Sequence, residues 1–363
     1  MNTDELIEKR VAKVVELYSD IETDVLEILA RHFRDNKEFL NSDYWRIQKL
    51  EELGVFNDEV VSYIAKRSKT SKMAVKKALN DVGLDTINYN KLTSLYNEGK
   101  IQVRPEEVLN NPTLKAIINY AYNDATGNFI DINGLVVGAS NQAYIDIVEK
   151  TYLEVSMGVR SYDEAIRSAL DELGNKGIQV ITYATKDGKV RHYTAEGLAR
   201  REILNATRGT NADLTMELLD ELQPEYVYLS EHIDCRPTHF DWQGTVIKRS
   251  DLGLDPVNYG AVDGLCGINC RHYFEPYFGD PKDVKKKYSK EECAEQYKLT
   301  QKQRYYERGV RAWQRQEAIA KGLDDPKAIK HTKYKLNFWR KRLNNFCEDN
   351  GLRRDFTREY IYR

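Results

Sequence analysis

Apolar residues return along the start of the chain at spacings of three and four. Val14, Leu17, Ile21, Val25, Ile28 and Leu29 mark one stripe, and Leu6 and Val11 extend it. A one-sided stripe of this period predicts an amphipathic helix. Asn41-Ser42-Asp43 offers an N-cap for a second helix through Leu53, where Gly54 supplies a stop. Asn57 and Ser71 read as further caps, opening helices over Asp58–Arg67 and Lys72–Val82. Residues 110–150 read as helix and loop interrupted by Gly127, Gly134 and Gly138, with helix resuming over Ala143–Val155. Residues 1–150 are thus expected to form a helical N-terminal bundle.

Beyond residue 150 the pattern becomes mixed. Ser161-Tyr162-Asp163-Glu164 caps a helix through Leu173 that Gly174 and Gly177 stop. Gln179–Tyr183 alternates like a strand, Asp187-Gly188 is a hairpin turn, and Val190–Tyr193 is the strand's partner. Helices follow over Ala195–Arg208 and Asn211–Gln223, then a short strand over Tyr226–Ser230. After Gly279-Asp280-Pro281, helical patterns cover Glu291–Arg315 and Lys327–Phe346, joined by the turn Leu323–Pro326. The expected class is α+β: the N-terminal bundle, a small mixed core over 151–282, and a helical hairpin arm over 283–363. The sequence has no internal repeat and no low-complexity segment.

Between the strand ending at Ser230 and the aromatic exit Tyr273–Phe278 no regular period persists. This stretch holds three of the six histidines (His232, His239, His272) and three of the five cysteines (Cys235, Cys266, Cys270). A loop of that length leaves backbone groups unpaired, so specific side chains or a metal must hold it. Cys235-x3-His239 and Cys266-x3-Cys270-x-His272 supply sulfur and nitrogen ligands in two clusters, as tetrahedral zinc sites do. The alternative is a hydrogen-bonded loop core. There His232 and His239 bond backbone carbonyls, Arg236 and Arg271 pair with Asp234, Asp241 or Asp263, and the cysteines pack as small hydrophobes. Trp242-Gln243-Gly244 reads as a packing anchor followed by a turn. Cys270, His272 and Asn269 superficially form a thiol-nucleophile trio, but nothing in the sequence supplies an oxyanion hole. No Walker A loop and no post-strand GxGxxG is present.

The same stretch carries a resemblance. Ser230-x-His232-x3-Arg236-Pro237-x-His239-x2-Trp242-Gln243-Gly244 is followed by Gly264-Leu265-Cys266-Gly267-x-Asn269-Cys270-Arg271-His272. This order resembles the phage minor capsid protein 2 family, a relative of the Mu F and SPP1 gp7-like head morphogenesis proteins. Gly158–Ile166, Arg200-Arg201 and Gln301–Arg308 extend the match over residues 150–320. Cys235 departs from the pattern, which has a small residue before Arg-Pro. The resemblance implies a virion component of the phage head, made in a bacterial cytoplasm and associated with the portal protein and other head proteins, without enzymatic activity. It also implies a metal set of His232, His239, Cys270 and His272, if metal is bound.

Composition bounds the remainder. A chain of 363 residues with 31% charged positions predicts two or three surface-rich globular domains. No apolar run approaches the roughly 20 residues of a membrane span, and the N-terminus lacks a signal pattern. Five cysteines, an odd number unevenly spread, fit a reducing compartment. From Val284 onward 22 Lys/Arg stand against 11 Asp/Glu, a net +11, so residues 1–283 carry −13 within the total of −2. A basic tail on an acidic body suggests a polyanionic partner, packaged DNA or an acidic protein surface. Ile64–Leu79 has the rhythm of a helix-turn-helix, basic from Lys66 to Lys77, though Lys69 stands where the turn glycine belongs. Two rival readings follow: a zinc hydrolase or nucleic-acid-acting effector built on residues 232–272, and a DNA-binding module using residues 58–82 and the tail. The 24 tyrosines favour interface formation.

Overall fold

The computed structural model describes residues 3–34, 41–184 and 188–359. It is 71% helical with small antiparallel sheets, a helix-rich α+β protein. Helix α1 (Thr3–His32) follows the predicted stripe, with Val14, Leu17, Ile21, Val25 and Leu29 buried. Helix α2 runs unbroken from Ser42 to Ile87, and α5 from Pro112 to Ser156. Between them lie α3 (Tyr89–Asn97) and α4 (Pro105–Asn110). The remaining elements are α6 (Tyr162–Lys176), β1 (Gln179–Ala184), β2 (Val190–Thr194), α7 (Ala195–Leu222), β3 (Tyr226–Leu229), β4 (Val246–Lys248), β5 (Phe274–Tyr277), α8 (Lys290–Gly322) and α9 (Pro326–Asp349).

Three expectations are corrected. Gly54, Asn57 and Ser71 do not punctuate α2, and Ile64–Leu79 forms continuous helix, so the helix-turn-helix reading of residues 58–82 fails. The apolar face carries on through the supposed stops (Phe56, Val60, Ile64, Val75, Leu79 and Val82 are buried), and the Ser71 hydroxyl donates to the Ser68 carbonyl within the same helix. Gly127, Gly134 and Gly138 likewise lie inside α5, and Ala195–Arg208 and Asn211–Gln223 merge into α7. Burial of one face outweighs the roughly 1 kcal/mol that an interior glycine costs. The β1–β2 hairpin forms as predicted, with Thr182 opposite His192. Asp187 of its turn lies outside the described residues.

The chain divides into two compact units, each built from three separate stretches. One comprises residues 14–71, 128–200 and 303–363. Its core holds Trp45, Phe33, Phe56 and Tyr144, with the Phe33 and Tyr144 rings 4.7 Å apart and those of Phe56 and Tyr144 stacked at 5.0 Å. Helix α6 opens on a Ser161/Glu164 capping box and brings Tyr162 against Trp45 at 5.2 Å. The hairpin of α8 and α9 closes around Val310, Leu336, Leu343 and Cys347, and Asp325 caps α9 by accepting from the Lys327 and Ala328 amides.

The other unit comprises residues 1–13, 72–127 and 201–302. Its sheet has the order β4-β3-β5, antiparallel throughout. Pro276 is tolerated because β5 is an edge strand. Val227, Leu229, Trp242, Leu252, Val257, Leu265, Cys270 and Phe274 pack into one core with Leu219 of α7. Between β4 and β5 the backbone closes in successive tight turns. The amides of Leu265, Gly267, Ile268 and Cys270 donate to the carbonyls of Val257, Gly264, Val262 and Gly267. This crowding explains two glycines: a Cβ on Gly264 would lie 2.0 Å from the Asn258 carbonyl oxygen, and one on Gly267 2.0 Å from that of Ala261.

Only backbone movement can relieve those clashes. Gly264→Ala and Gly267→Ala should each lose about 2–3 kcal/mol in urea unfolding, in line with overpacked sites. Gly253→Ala, with nothing within 4 Å of its Cβ, should unfold like the parent chain.

Candidate functional site

Strand β3 delivers the chain to Ser230, which exchanges bonds with Tyr273 across the sheet end. The Ser230 amide donates to the Tyr273 carbonyl at 2.9 Å, and the Tyr273 amide donates to the Ser230 hydroxyl at 2.9 Å. Pro237 sits at the first position of a short 3₁₀ turn over Pro237–His239, where its missing amide costs nothing. That turn buries His239, and Arg236 ties it to the second half of the stretch by donating to the Ile268 carbonyl at 2.6 Å. Cys266 and Asn269 adopt φ of 58° and 55°, so Asn269 serves the turn through its backbone.

These turns bring His239, Cys270 and His272 together. All three are buried, and their ligand atoms lie within 4.8 Å of one another. His239 Nδ1 is 3.3 Å from His272 Nδ1, and Cys270 Sγ is 3.6 Å from His272 Nδ1 and 4.0 Å from His239 Nδ1. The Trp242 ring covers both imidazoles at 4.7 Å. The His232 ring lies 4.1 Å from that of His272, and its Nε2 is buried with no hydrogen-bond partner.

The outer bonds fix every tautomer. His239 Nε2 is 2.8 Å from the Asp263 carbonyl, which only accepts, so Nε2 carries the proton and Nδ1 is a lone pair. Gln243 Oε1 accepts the His232 amide at 3.2 Å, which settles its amide orientation. The His272 Nε2 at 3.0 Å must therefore donate to the same oxygen. His272 Nδ1 is then a lone pair as well. His232 Nδ1 lies 3.0 Å from Asp234 Oδ1 and donates to it, leaving its Nε2 as a third lone pair. Burial pushes the His239 imidazole down and the His272 imidazole well below its ordinary value, so neither gains a proton easily. Burial also pushes the Cys270 thiol up.

The other two cysteines lie apart from this cluster. Cys235 is buried, and burial and its neighbour Cys293 raise its thiol to about 12. Cys266 is half-buried, with Sγ 3.8 Å from the His272 carbonyl. Cys293 of α8, unremarkable in the sequence, takes a hydrogen bond from Gln243 Nε2 at 3.5 Å. Gly244 turns the chain at φ 65° as expected.

An ionic relay orients the set. Arg271 donates to Asp234 Oδ2 at 2.5 Å and to Asp4 Oδ2 at 2.8 Å, and Arg208 reaches Asp4 Oδ1 at 2.7 Å. Asp234 was among the partners expected for Arg271. Arg236 bonds a carbonyl instead, and Asp263 contributes its backbone. Burial alone would raise Asp234 and Asp4. The His232 bond and Arg271 outweigh it at Asp234, as the two arginines do at Asp4, and both carboxyls are held below the usual range. Asp4 and Arg208 lie 204 positions apart, and no local pattern announces their pairing.

Asp4→Asn would leave two part-buried guanidiniums short of a counter-charge, which should cost about 3 kcal/mol at pH 7. Because the folded value of Asp4 is depressed, its contribution is present above the unfolded carboxylate value of about 4 and is lost as pH falls below it. Urea unfolding from pH 7 to pH 3 should therefore show a shallower decline for Asp4→Asn than for the parent.

Comparison with known proteins places this chain in a family. The chain is similar to a structural protein of Lactococcus phage LL-H, 26% identical over 335 residues that cover 87% of this chain and 88% of the relative. It is also similar to a structural protein of Lactococcus phage mv4, 30% identical over 105 residues covering 28% of this chain and 85% of that one. No solved structure matches. The family described as phage minor capsid protein 2 matches residues 3–348, nearly the whole chain, and the chain belongs to that family.

Proposed function

We propose that this protein is a non-enzymatic component of the phage head that joins the particle by binding the portal protein. The observation that carries the reading is family membership over residues 3–348, together with relatives whose names describe structural proteins of phages. The geometry is compatible with a role without turnover: His239, Cys270 and His272 are 1%, 3% and 4% exposed, leaving no open approach for a substrate. A 140 Å³ cavity in the same unit is lined by Thr3, Leu92, Leu218 and Phe274 among others, and by none of the six histidines and cysteines of the stretch. No helix among the described residues is long and apolar enough to cross a membrane.

The α8–α9 hairpin supplies a contact surface of suitable chemistry. Tyr334 and Phe338 of α9 are exposed, and Arg342 lies over the Phe338 ring at 5.4 Å. Aromatic residues with arginine are what protein interfaces favour. The net +11 after Val284 adds attraction to an acidic portal surface or to packaged DNA.

Co-expression with the portal protein of the same phage should yield a co-purifying complex, and the chain should be found in isolated heads. The complex should weaken steeply between 50 and 500 mM salt, about as counterion-linked contacts do. Absence from heads together with failure to co-purify would overturn the reading, and a salt-independent complex would assign the contact to apolar packing.

A further inference from the structure

The structure assigns a zinc site to His239 Nδ1, His272 Nδ1 and Cys270 Sγ, whose ligand atoms lie within 4.8 Å of one another, with the buried Nε2 of His232, outside that group, turning in as the fourth ligand to close a tetrahedron. The inference goes beyond the head-protein reading and does not depend on it.

Four independent features converge. Zinc–nitrogen bonds of about 2.0 Å and a zinc–sulfur bond of about 2.3 Å place tetrahedral ligands about 3.3 Å (N to N) and about 3.5 Å (N to S) apart. The observed separations are 3.3 Å between the two Nδ1 atoms and 3.6 Å and 4.0 Å from Cys270 Sγ. Secondly, two buried lone pairs face each other at 3.3 Å, an arrangement that repels unless a cation lies between them. The Cys270 thiol has one proton and can satisfy only one of them.

Thirdly, His232 Nε2 is buried without a partner beside the His272 ring, an orphan acceptor next to a site that needs a fourth donor. Lastly, the outer bonds are those of a ligated set. Each imidazole donates its far N–H to an acceptor (Asp263 carbonyl, Gln243 carbonyl, Asp234 carboxylate), which fixes the ring and raises its basicity. Three neutral imidazoles and one thiolate suit zinc in preference to magnesium or calcium, which select oxygen. On binding, Cys270 loses its proton to solvent and its sulfur takes a bond to zinc, with no change of oxidation state. All four positions are then taken by protein, so the ion is structural.

The test uses the tag-free full chain refolded with Zn²⁺ or Co²⁺. One equivalent of zinc should be retained after dialysis, and the Co²⁺ form should show intense tetrahedral visible bands with a sulfur-to-cobalt transition in the near ultraviolet. Cys270→Ser should abolish the sulfur transition, His232→Ala should weaken Zn²⁺ binding well over tenfold, and Asp234→Asn should weaken it about 10–100-fold. Cys266→Ser and Cys347→Ser should leave the metal in place. If a variant does not fold, X-ray absorption on the parent zinc form decides: one sulfur near about 2.3 Å with three nitrogens near about 2.0 Å is expected. Retention of less than about a tenth of an equivalent, a coordination shell without sulfur, or Zn²⁺ affinity unaltered by His232→Ala would overturn the assignment.

Discussion

Arg271 holds the loop-rich unit together because it reaches where the sheet cannot. Three strands of three or four residues give the 44-residue stretch from Ser230 to Tyr273 no ladder beyond the three residues of β4, and short sheets have little stability of their own. The Arg271 guanidinium joins Asp4, at the start of α1, to Asp234, beside His232, across a sequence separation of 267 positions to Asp4. Desolvating an arginine is costly, and one carboxylate in poor geometry rarely compensates. Here two carboxylates do, and Arg208 completes the charge on Asp4. Arg271 also immediately precedes His272, so the ion pairs that hold the loop also set the ring beside it.

What could be read from the sequence follows from the range of each interaction. The stripe of α1, the Ser161/Glu164 box, the β1–β2 hairpin and the Asp325 turn are local and were legible, since the residues that decide them are neighbours. Stops were over-read. Gly54, Asn57, Ser71, Gly127, Gly134, Gly138 and the break read between Arg208 and Asn211 all resemble boundaries, yet α2, α5 and α7 run through them, because burial of an entire face is decided by distant segments. In the stretch itself, residue type offered six candidate ligands, His232, Cys235, His239, Cys266, Cys270 and His272, and only the family resemblance preferred His232, His239, Cys270 and His272 among them. Among the described residues the donor atoms that gather are those of His239, Cys270 and His272, while Cys235 lies beside Cys293 and Cys266 Sγ lies 3.8 Å from the His272 carbonyl. Asp4, Arg208 and Cys293 carried no local signal at all.

The second unit answers the same problem of buried charge differently. Glu22 and Glu196 are both buried. Glu22 accepts from the Ile178 amide at 3.2 Å with Arg315 4.0 Å away, and Glu196 has Arg311 at 3.5 Å and Arg200 at 3.6 Å. Burial dominates at Glu22 and raises it, with the nearby Glu196 charge adding to the rise. At Glu196 burial also raises, but Arg311, Arg200 and Arg315 outweigh it and the carboxyl is lowered. The stability owed to Glu22 is full below the ordinary carboxylate value and fades as pH rises through its raised one. That owed to Glu196 is full above the ordinary value and fades as pH falls through its depressed one. The two slopes oppose each other, whereas Asp4 and Asp234, both depressed, lose their contributions together as pH falls.

The chemistry of the His/Cys cluster argues for the same division between holding and reacting. A nucleophilic cysteine needs a depressed thiol value and exposure. Cys270 has neither: burial raises its thiol, and the Trp242 ring covers the two imidazoles beside it. A catalytic zinc ion keeps one position open to solvent, whereas His239, Cys270 and His272 are all buried. The polar groups of this loop therefore converge on one another and on the backbone, while Tyr334 and Phe338 of the α9 face are exposed. A loop whose polar groups are satisfied internally keeps its shape while exposed side chains stay available for contacts.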